Sequence, residues 1–106
     1  MKVSLKFAAL CSLAMVIAAP AFAQDAGADI YKEKCARCHG DDGKSHTFEG
    51  KMSHAAVFSD PEIVKMADAD LIAVVKNGKK HMPSFAKKLT DDQITSVIAY
   101  IHTLQK

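Results

Sequence analysis

Two cysteines that are separated by two residues and followed directly by a histidine constrain this chain more than any other feature. They are Cys35, Cys38 and His39, in the sequence Cys-Ala-Arg-Cys-His. The chain has 106 residues, which is enough for one domain at most. A disulfide between Cys35 and Cys38 would close a loop too small to stabilise such a domain. The two thiols are therefore expected to serve another purpose.

The N-terminus predicts a secretory signal peptide. A start that contains lysine precedes an apolar run over 7–19, and Ala23 completes a small-x-small cleavage pattern. The run is shorter than the roughly 20 apolar residues that a membrane-spanning helix needs. We therefore expect residues 1–23 to be removed on export to the periplasm and 24–106 to form the mature domain. Cys11 lies in the apolar run and is expected to be lost with it.

The predicted mature chain is small and formally neutral. It has 83 residues, with 12 acidic and 12 basic side chains. This balance does not suggest a nucleic-acid-binding protein, which would need a basic face. A core of this size supplies only a few kcal/mol, so small exported domains usually need an additional stabilising element. Only two neighbouring cysteines remain, and something other than a disulfide is expected in that role.

Periodicity and end signals predict an all-α fold. Thr90 and Gln93 form a capping box before the clearest helix, Pro61 stands at the first position of another, and Gly78 stops a third. The stretch 40–58 is rich in Gly, Asp, Ser and His without any period, and is predicted to be a long functional loop. No segment shows the alternation of apolar and polar residues that is typical of a β-strand. The segments predicted to be helical are about 29–37, 61–66, 68–77 and 91–104.

The spacing Cys-x-x-Cys-His is a c-type haem attachment signature. Two thiols one helical turn apart can each add to one vinyl group of a haem, and the next residue can place an imidazole nitrogen on the iron. A thioredoxin-like dithiol uses the same spacing but lies in a βαβ unit, and a zinc site would need further ligands although no second cysteine pair exists. We therefore predict one haem c, bound covalently through Cys35 and Cys38, with His39 on the iron.

A second axial ligand is expected from the segment around Met82. Pro83 keeps this segment out of a helix, so Met82 can present its thioether to the open face of the iron. Met82 could instead fill a gap in the core, and Met52 or Met66 could compete as ligands. His102 lies on the last predicted helix and is expected at the surface. The remaining candidate ligands are His81, His54 and His46.

Over residues 27–106 the chain resembles the mono-haem class I cytochromes c. The similarity is carried by the cysteine motif, by Asn-Gly-Lys and Met-Pro-Ser-Phe, and by Leu-Thr-Asp-Asp-Gln-Ile near the last helix. The resemblance implies thioether bonds at Cys35 and Cys38, with His39 as proximal and Met82 as distal ligand. It also implies a bundle of short helices wrapped around one covalently bound haem.

The resemblance further implies that the first and last helices cross at Gly27, with Tyr31 and Tyr100 as their aromatic residues. One departure concerns the loop after the motif. Many relatives have a proline there whose carbonyl accepts the N–H of the proximal imidazole, but Gly-Lys-Met-Ser at 50–53 offers none. Some acceptor is still expected. The residues that bind the propionates are not assigned, and Lys51 is only a candidate.

Two axial ligands leave the iron no vacancy, so the predicted function is one-electron transfer rather than enzymatic catalysis. Soft sulfur and a low-dielectric surround both raise the reduction potential, because they favour Fe(II). The residues expected to form that surround are Leu71, Val75, Phe85, Val97 and Ile98.

Basic residues in sequence around Met82 suggest a docking patch for redox partner proteins, although they could equally be a solvated surface. We expect a monomer that binds no nucleic acid. Two alternatives stay open: a gas sensor or peroxidase with a labile distal ligand, and a subunit fixed in a larger, membrane-bound oxidoreductase complex. The residues of the predicted patch are Lys79, Lys80, Lys87 and Lys88.

Overall fold

The computed structural model describes residues 19–106, with side chains from 26 onward. In this part of the chain there is no β-strand, only an isolated antiparallel bridge between Lys79 and Met82, so the all-α prediction is confirmed. None of the described helices is both long and apolar enough to cross a membrane. The described helices are α1 (Ala19–Lys34), α2 (Ala36–His39), α3 (Phe48–Ser53), α4 (Pro61–Val64), α5 (Asp68–Asn77) and α6 (Asp91–Thr103).

The start of the predicted signal peptide, its apolar run up to residue 18 and Cys11 lie outside the described residues. The predicted cleavage point after Ala23 falls inside α1. The first helix was predicted over 29–37, but α1 begins earlier and ends at Lys34, before the cysteine motif.

The cysteine motif forms its own helical turn. The Cys35 amide donates to the Tyr31 carbonyl (2.8 Å), and the Cys35 carbonyl accepts from the His39 amide (3.0 Å). The turn ends at Gly40, whose φ of 81° is a conformation that glycine adopts without steric cost. These hydrogen bonds continue the helical geometry through both cysteines, as two thiols one turn apart require.

The prediction that 40–58 is a loop throughout was wrong, because α3 lies within it. Thr47 caps this helix: its Oγ1 accepts from the Gly50 amide (2.8 Å) and donates to the Cys38 carbonyl (3.0 Å). Gly50 packs so closely on the motif that a Cβ there would lie 2.1 Å from the Cys38 carbonyl oxygen. Capping and close backbone packing therefore hold α3 in place, although its sequence lacks the apolar periodicity of an amphipathic helix.

The later helices begin where their start signals predict, and α5 also ends as predicted, whereas α4 ends at Val64 rather than near residue 66. Pro61 is the first residue of α4, and Gly78, with φ 79°, follows the last residue of α5. The capping box of α6 is present, since the Gln93 amide donates to Thr90 Oγ1 (3.1 Å) and the Thr90 amide donates to Gln93 Oε1 (2.8 Å).

The first and last helices cross at Gly27, as the resemblance implied. A Cβ at Gly27 would lie 2.1 Å from the Ser96 carbonyl oxygen, so only glycine allows this approach. Beside the crossing, Tyr31 is fully buried and its ring centroid lies 5.3 Å from that of Tyr100. The core around them includes all five residues expected to form the apolar surround, and consists of Tyr31, Phe58, Leu71, Val75, Phe85, Leu89, Ile94, Val97, Ile98 and Ile101.

Candidate functional site

An apolar cleft is lined by both the cysteine motif and the segment that carries Met82. It has a deep cavity of about 150 Å³ and a wider mouth of about 1080 Å³. The residues that line both parts are Cys35, His39, Ala56, Val74, Lys79 and Met82. The apolar side chains at the deep end include Phe58, Ile63, Met66, Leu71, Val75, Val97, Ile98 and Ile101. Core residues of α5 and α6 thus form the wall of the site.

The two thiols of the motif lie half-buried on this cleft and are not bonded to each other. Burial raises the pKa of the Cys35 thiol to about 11, and the neighbouring Cys38 adds to the shift. Redox-active dithiols depend on a thiol whose pKa is lowered. The environment of Cys35 therefore argues against a thiol–disulfide enzyme, while leaving two adjacent sulfurs available for covalent attachment.

The His39 imidazole is fixed on two sides. Its Nδ1 lies 3.0 Å from the Ala56 carbonyl oxygen, and its ring stacks on Phe58 with a centroid distance of 4.5 Å. Burial lowers the pKa of His39, partly opposed by the hydrogen bond to Ala56. A neutral imidazole that donates from Nδ1 keeps the Nε2 lone pair for a metal. The hydrogen-bond acceptor of His39, which the sequence left unassigned, is thus the backbone carbonyl of Ala56. Any residue type can supply a backbone carbonyl, so the sequence carries no signal for it.

Met82 is half-buried and lines both parts of the cleft. Its backbone is held by two hydrogen bonds with Lys79, one in each direction (3.0 and 2.9 Å). Lys80 stands at the intervening turn with φ 55°, and the Phe85 amide donates to the Val75 carbonyl (3.0 Å). The segment is therefore a short turn anchored to α5.

The other candidate axial ligands occupy different places. Met66 is half-buried at the deep end of the cleft, whereas Met52 lies on α3 at the mouth and is 68% exposed. His81 and His54 are exposed on the mouth, and His46 lines neither part. All three candidate methionines therefore line the cleft with His39, and of the three Met82 alone lines both of its parts.

Two further sequence expectations concern groups outside the cleft. His102 is exposed on α6, with Nε2 2.7 Å from Asp68 Oδ1, so it lies at the surface as expected. Lys51, the candidate for a propionate, does not line the cleft. Among residues whose side chains are described, no group of three or more His, Cys, Asp or Glu could hold a metal, which leaves the zinc interpretation without a ligand set there.

The donor set fits a haem better than a bare metal ion. Two free thiols one turn apart, a neutral imidazole and a thioether all line one apolar cleft. Three of the four predicted docking lysines, Lys79, Lys80 and Lys88, line its mouth, and Lys87 does not.

Comparison with known proteins gives consistent matches. The family model described as cytochrome c oxidase, cbb3-type, subunit III, matches residues 22–101. A cytochrome c6 from Rippkaea orientalis is 39% identical over 101 residues, covering 92% of this chain and 87% of that protein. The cbb3-type cytochrome c oxidase subunit CcoP of Azospirillum brasilense is 31% identical over 86 residues, covering 79% of this chain and 29% of that protein. The solved structure of KustC0563 c-type cytochrome has a TM-score of 0.70 and 29% identity, covering 76% of this chain and 98% of that one.

Proposed function

The chain belongs to the cytochrome c family as a small mono-haem member, and from that membership we propose that it is a one-electron carrier with His39 and Met82 as axial ligands. The family implies a covalently bound haem c, and Cys35 and Cys38 have the spacing this requires. When bound, the haem supplies a one-electron Fe(III)/Fe(II) change. The observation that carries the proposal is that both thiols, the imidazole and the Met82 thioether line one apolar cleft.

The chain's own residues account for the expected direction of the potential. His39 would bind through Nε2, because Nδ1 is engaged by Ala56. The Met82 thioether is a soft donor that favours Fe(II). The apolar wall disfavours the additional charge of Fe(III). Both effects raise the reduction potential relative to a solvated site with two nitrogen ligands.

Redox partners would dock at the mouth of the cleft. Lys79, Lys80 and Lys88 line this opening, and so do Phe48 and Met52, which are exposed on α3. A basic rim around apolar side chains suits an acidic partner: the charges steer the encounter, and the apolar contact excludes water. We propose that donor and acceptor both use this face.

We propose that residues 1–23 direct export to the periplasm, where 24–106 acts as a free carrier. The match to CcoP favours a second candidate, a subunit fixed in a larger complex. Sedimentation of the exported protein separates the two, because a free carrier sediments as a monomer. A gas sensor or peroxidase is less favoured, since Met82 already lines the cleft beside His39.

The proposal is tested by exporting the protein and recording absorption spectra in both oxidation states, together with a pyridine haemochrome assay. We expect a weak far-red sulfur-to-iron band in the ferric protein. Met82→Ala should abolish this band and lower the potential by on the order of 0.1 V or more, since axial ligand identity spans about 0.8 V.

Met66→Ala and Met52→Ala are the matched controls, and both should keep the band. If Met66→Ala removes it instead, the distal ligand is misassigned. A colourless exported protein with two titratable thiols would refute the proposed function altogether.

A further inference from the structure

The Ala56 carbonyl oxygen accepts two hydrogen bonds. One comes from His39 Nδ1 (3.0 Å) and the other from Ser45 Oγ (2.7 Å). Ser45 is linked to the same histidine a second time, because its amide donates to the His39 carbonyl (2.8 Å). A serine therefore shares the acceptor of the proposed proximal ligand and is tied to that ligand's backbone.

Ser45 occupies an unusual place. It is 7% exposed and is the one buried polar residue among those whose side chains are described. Its φ is 59°, in the left-handed region that side chains other than glycine disfavour. Backbone strain of this kind persists only where the surrounding structure enforces it, and it is concentrated at functional sites. Glycine would adopt this backbone conformation with less strain than serine. What serine adds at this position is its hydroxyl, which donates to the Ala56 carbonyl.

The position of the Ala56 carbonyl does not depend on Ser45 alone. The Ala55 amide donates to the Gly50 carbonyl (2.9 Å), and the Phe58 amide donates to the Gly43 carbonyl (3.0 Å). These bonds fix the chain on both sides of Ala56. Removal of the Ser45 hydroxyl should therefore leave the carbonyl in place, with His39 as its remaining described donor.

We propose that Ser45 is a positioning residue that limits the basicity of His39 and thereby raises the reduction potential; this rests on the proposed function. Two donors on one carbonyl oxygen compete for its electron density, so each hydrogen bond is weaker than it would be alone. Without the hydroxyl, the bond from His39 Nδ1 strengthens and the imidazole gains anionic character. A more basic imidazole favours Fe(III), because an acceptor on the outer nitrogen tunes the metal through its ligand.

The test compares Ser45→Ala and Ser45→Gly in the exported, haem-loaded protein. Both variants lack the hydroxyl, but glycine also relieves the strained φ, so their thermal stabilities should differ, with Ser45→Gly the more stable. Their potentials should nevertheless fall together. We expect a two- to fivefold change in the Fe(III)/Fe(II) ratio at fixed solution potential, which is about 20–40 mV at 59 mV per tenfold for one electron.

Thr103→Val is the control, because the Thr103 hydroxyl also donates to a backbone carbonyl, that of Tyr100 (2.6 Å) on α6, and Thr103 lines neither part of the cleft. Its potential should not change. In the reduced protein, NMR of ¹⁵N-labelled histidine should show the His39 Nδ1 proton moving downfield in both Ser45 variants and not in the control.

Unchanged reduction potentials in both Ser45 variants would overturn the proposal. It would also be overturned if the potentials of the two variants shifted in opposite directions, in the order of their thermal stabilities. Either result in a coloured protein with the far-red band would leave the proposed function intact. A wild type that carries no haem would overturn both together.

Discussion

The crossing of α1 and α6 makes a quantitative prediction for Gly27→Ala. The new Cβ would lie 2.1 Å from the Ser96 carbonyl oxygen and 3.2 Å from Tyr100 Cβ. Its closest contact is with backbone on the facing helix, so no side-chain rotation relieves it. The helices must separate by roughly 1 Å in a close-packed interior.

The magnitude follows from two opposing terms. Overpacking costs about 1–3 kcal/mol, and a clash between backbones belongs at the upper end of that range. Alanine regains about 1 kcal/mol of helix propensity over glycine. The net loss is about 2 kcal/mol in the free energy of unfolding. At about 4–8 °C per kcal/mol for a domain of this size, the melting temperature should fall by roughly 8–16 °C.

Thermal unfolding followed by circular dichroism measures this loss in the haem-loaded protein. The matched control is Ala26→Gly, since Ala26 is exposed on the same helix and reports the propensity term alone. We expect that control to lose at most about 1 kcal/mol, because Ala26 would be the third residue after the proposed cleavage and would lie in the first turn of the helix. If Gly27→Ala instead raises the melting temperature, the helices do not cross as closely as described, and the reasoning fails.

Two surface features carry the remaining predictions. The hydrogen bonds of His102 with Gln105 and with Asp68 raise its pKa. A histidine whose pKa is raised on folding stabilises the fold at pH values below the unfolded pKa of about 6.5. This stabilisation is lost as the pH rises through the folded pKa. Asp68→Asn should therefore cost about 0.2–1 kcal/mol more near pH 5.5 than near pH 9 in thermal melts, over the pH-independent loss of its charge at the start of α5, and equal losses at the two pH values would contradict this. Lys80→Glu should slow oxidation of the reduced protein by hexacyanoferrate(III) at low ionic strength more than Lys87→Glu does in stopped-flow measurements, because of these two lysines Lys80 alone lines the cleft mouth. Equal slowing would refute docking at the mouth.

The sequence predicted the features whose signals are local. The capping box at Thr90 marks the start of α6, and Gly78 marks the end of α5, where the structure has them. Such signals can be recognised in a sequence because capping depends on residues only a few positions apart. The crossing at Gly27 was predicted from the family resemblance, because a small residue alone does not indicate which distant helix packs against it.

The sequence failed where backbone contacts decide the structure. Thr47 caps α3 although no capping box or apolar period follows it in the sequence, which is why the predicted loop over 40–58 was wrong there. The acceptor for His39 could not be named, because it is a main-chain oxygen and Ala56 carries no side-chain signal for it. The role of Ser45 was hidden for the same reason, since its partner is that oxygen.

The pairing of the first described helix with the last also bears on how this chain reaches its folded state. Tyr31 and Ile94 share one core, so under the proposed export the N-terminal segment would have nothing to pack against until the C-terminal segment follows. The motif at Cys35 and Cys38 would then lack its folded surroundings during that interval. The proposed covalent attachment at its sulfurs would be least hindered before the final helix packs.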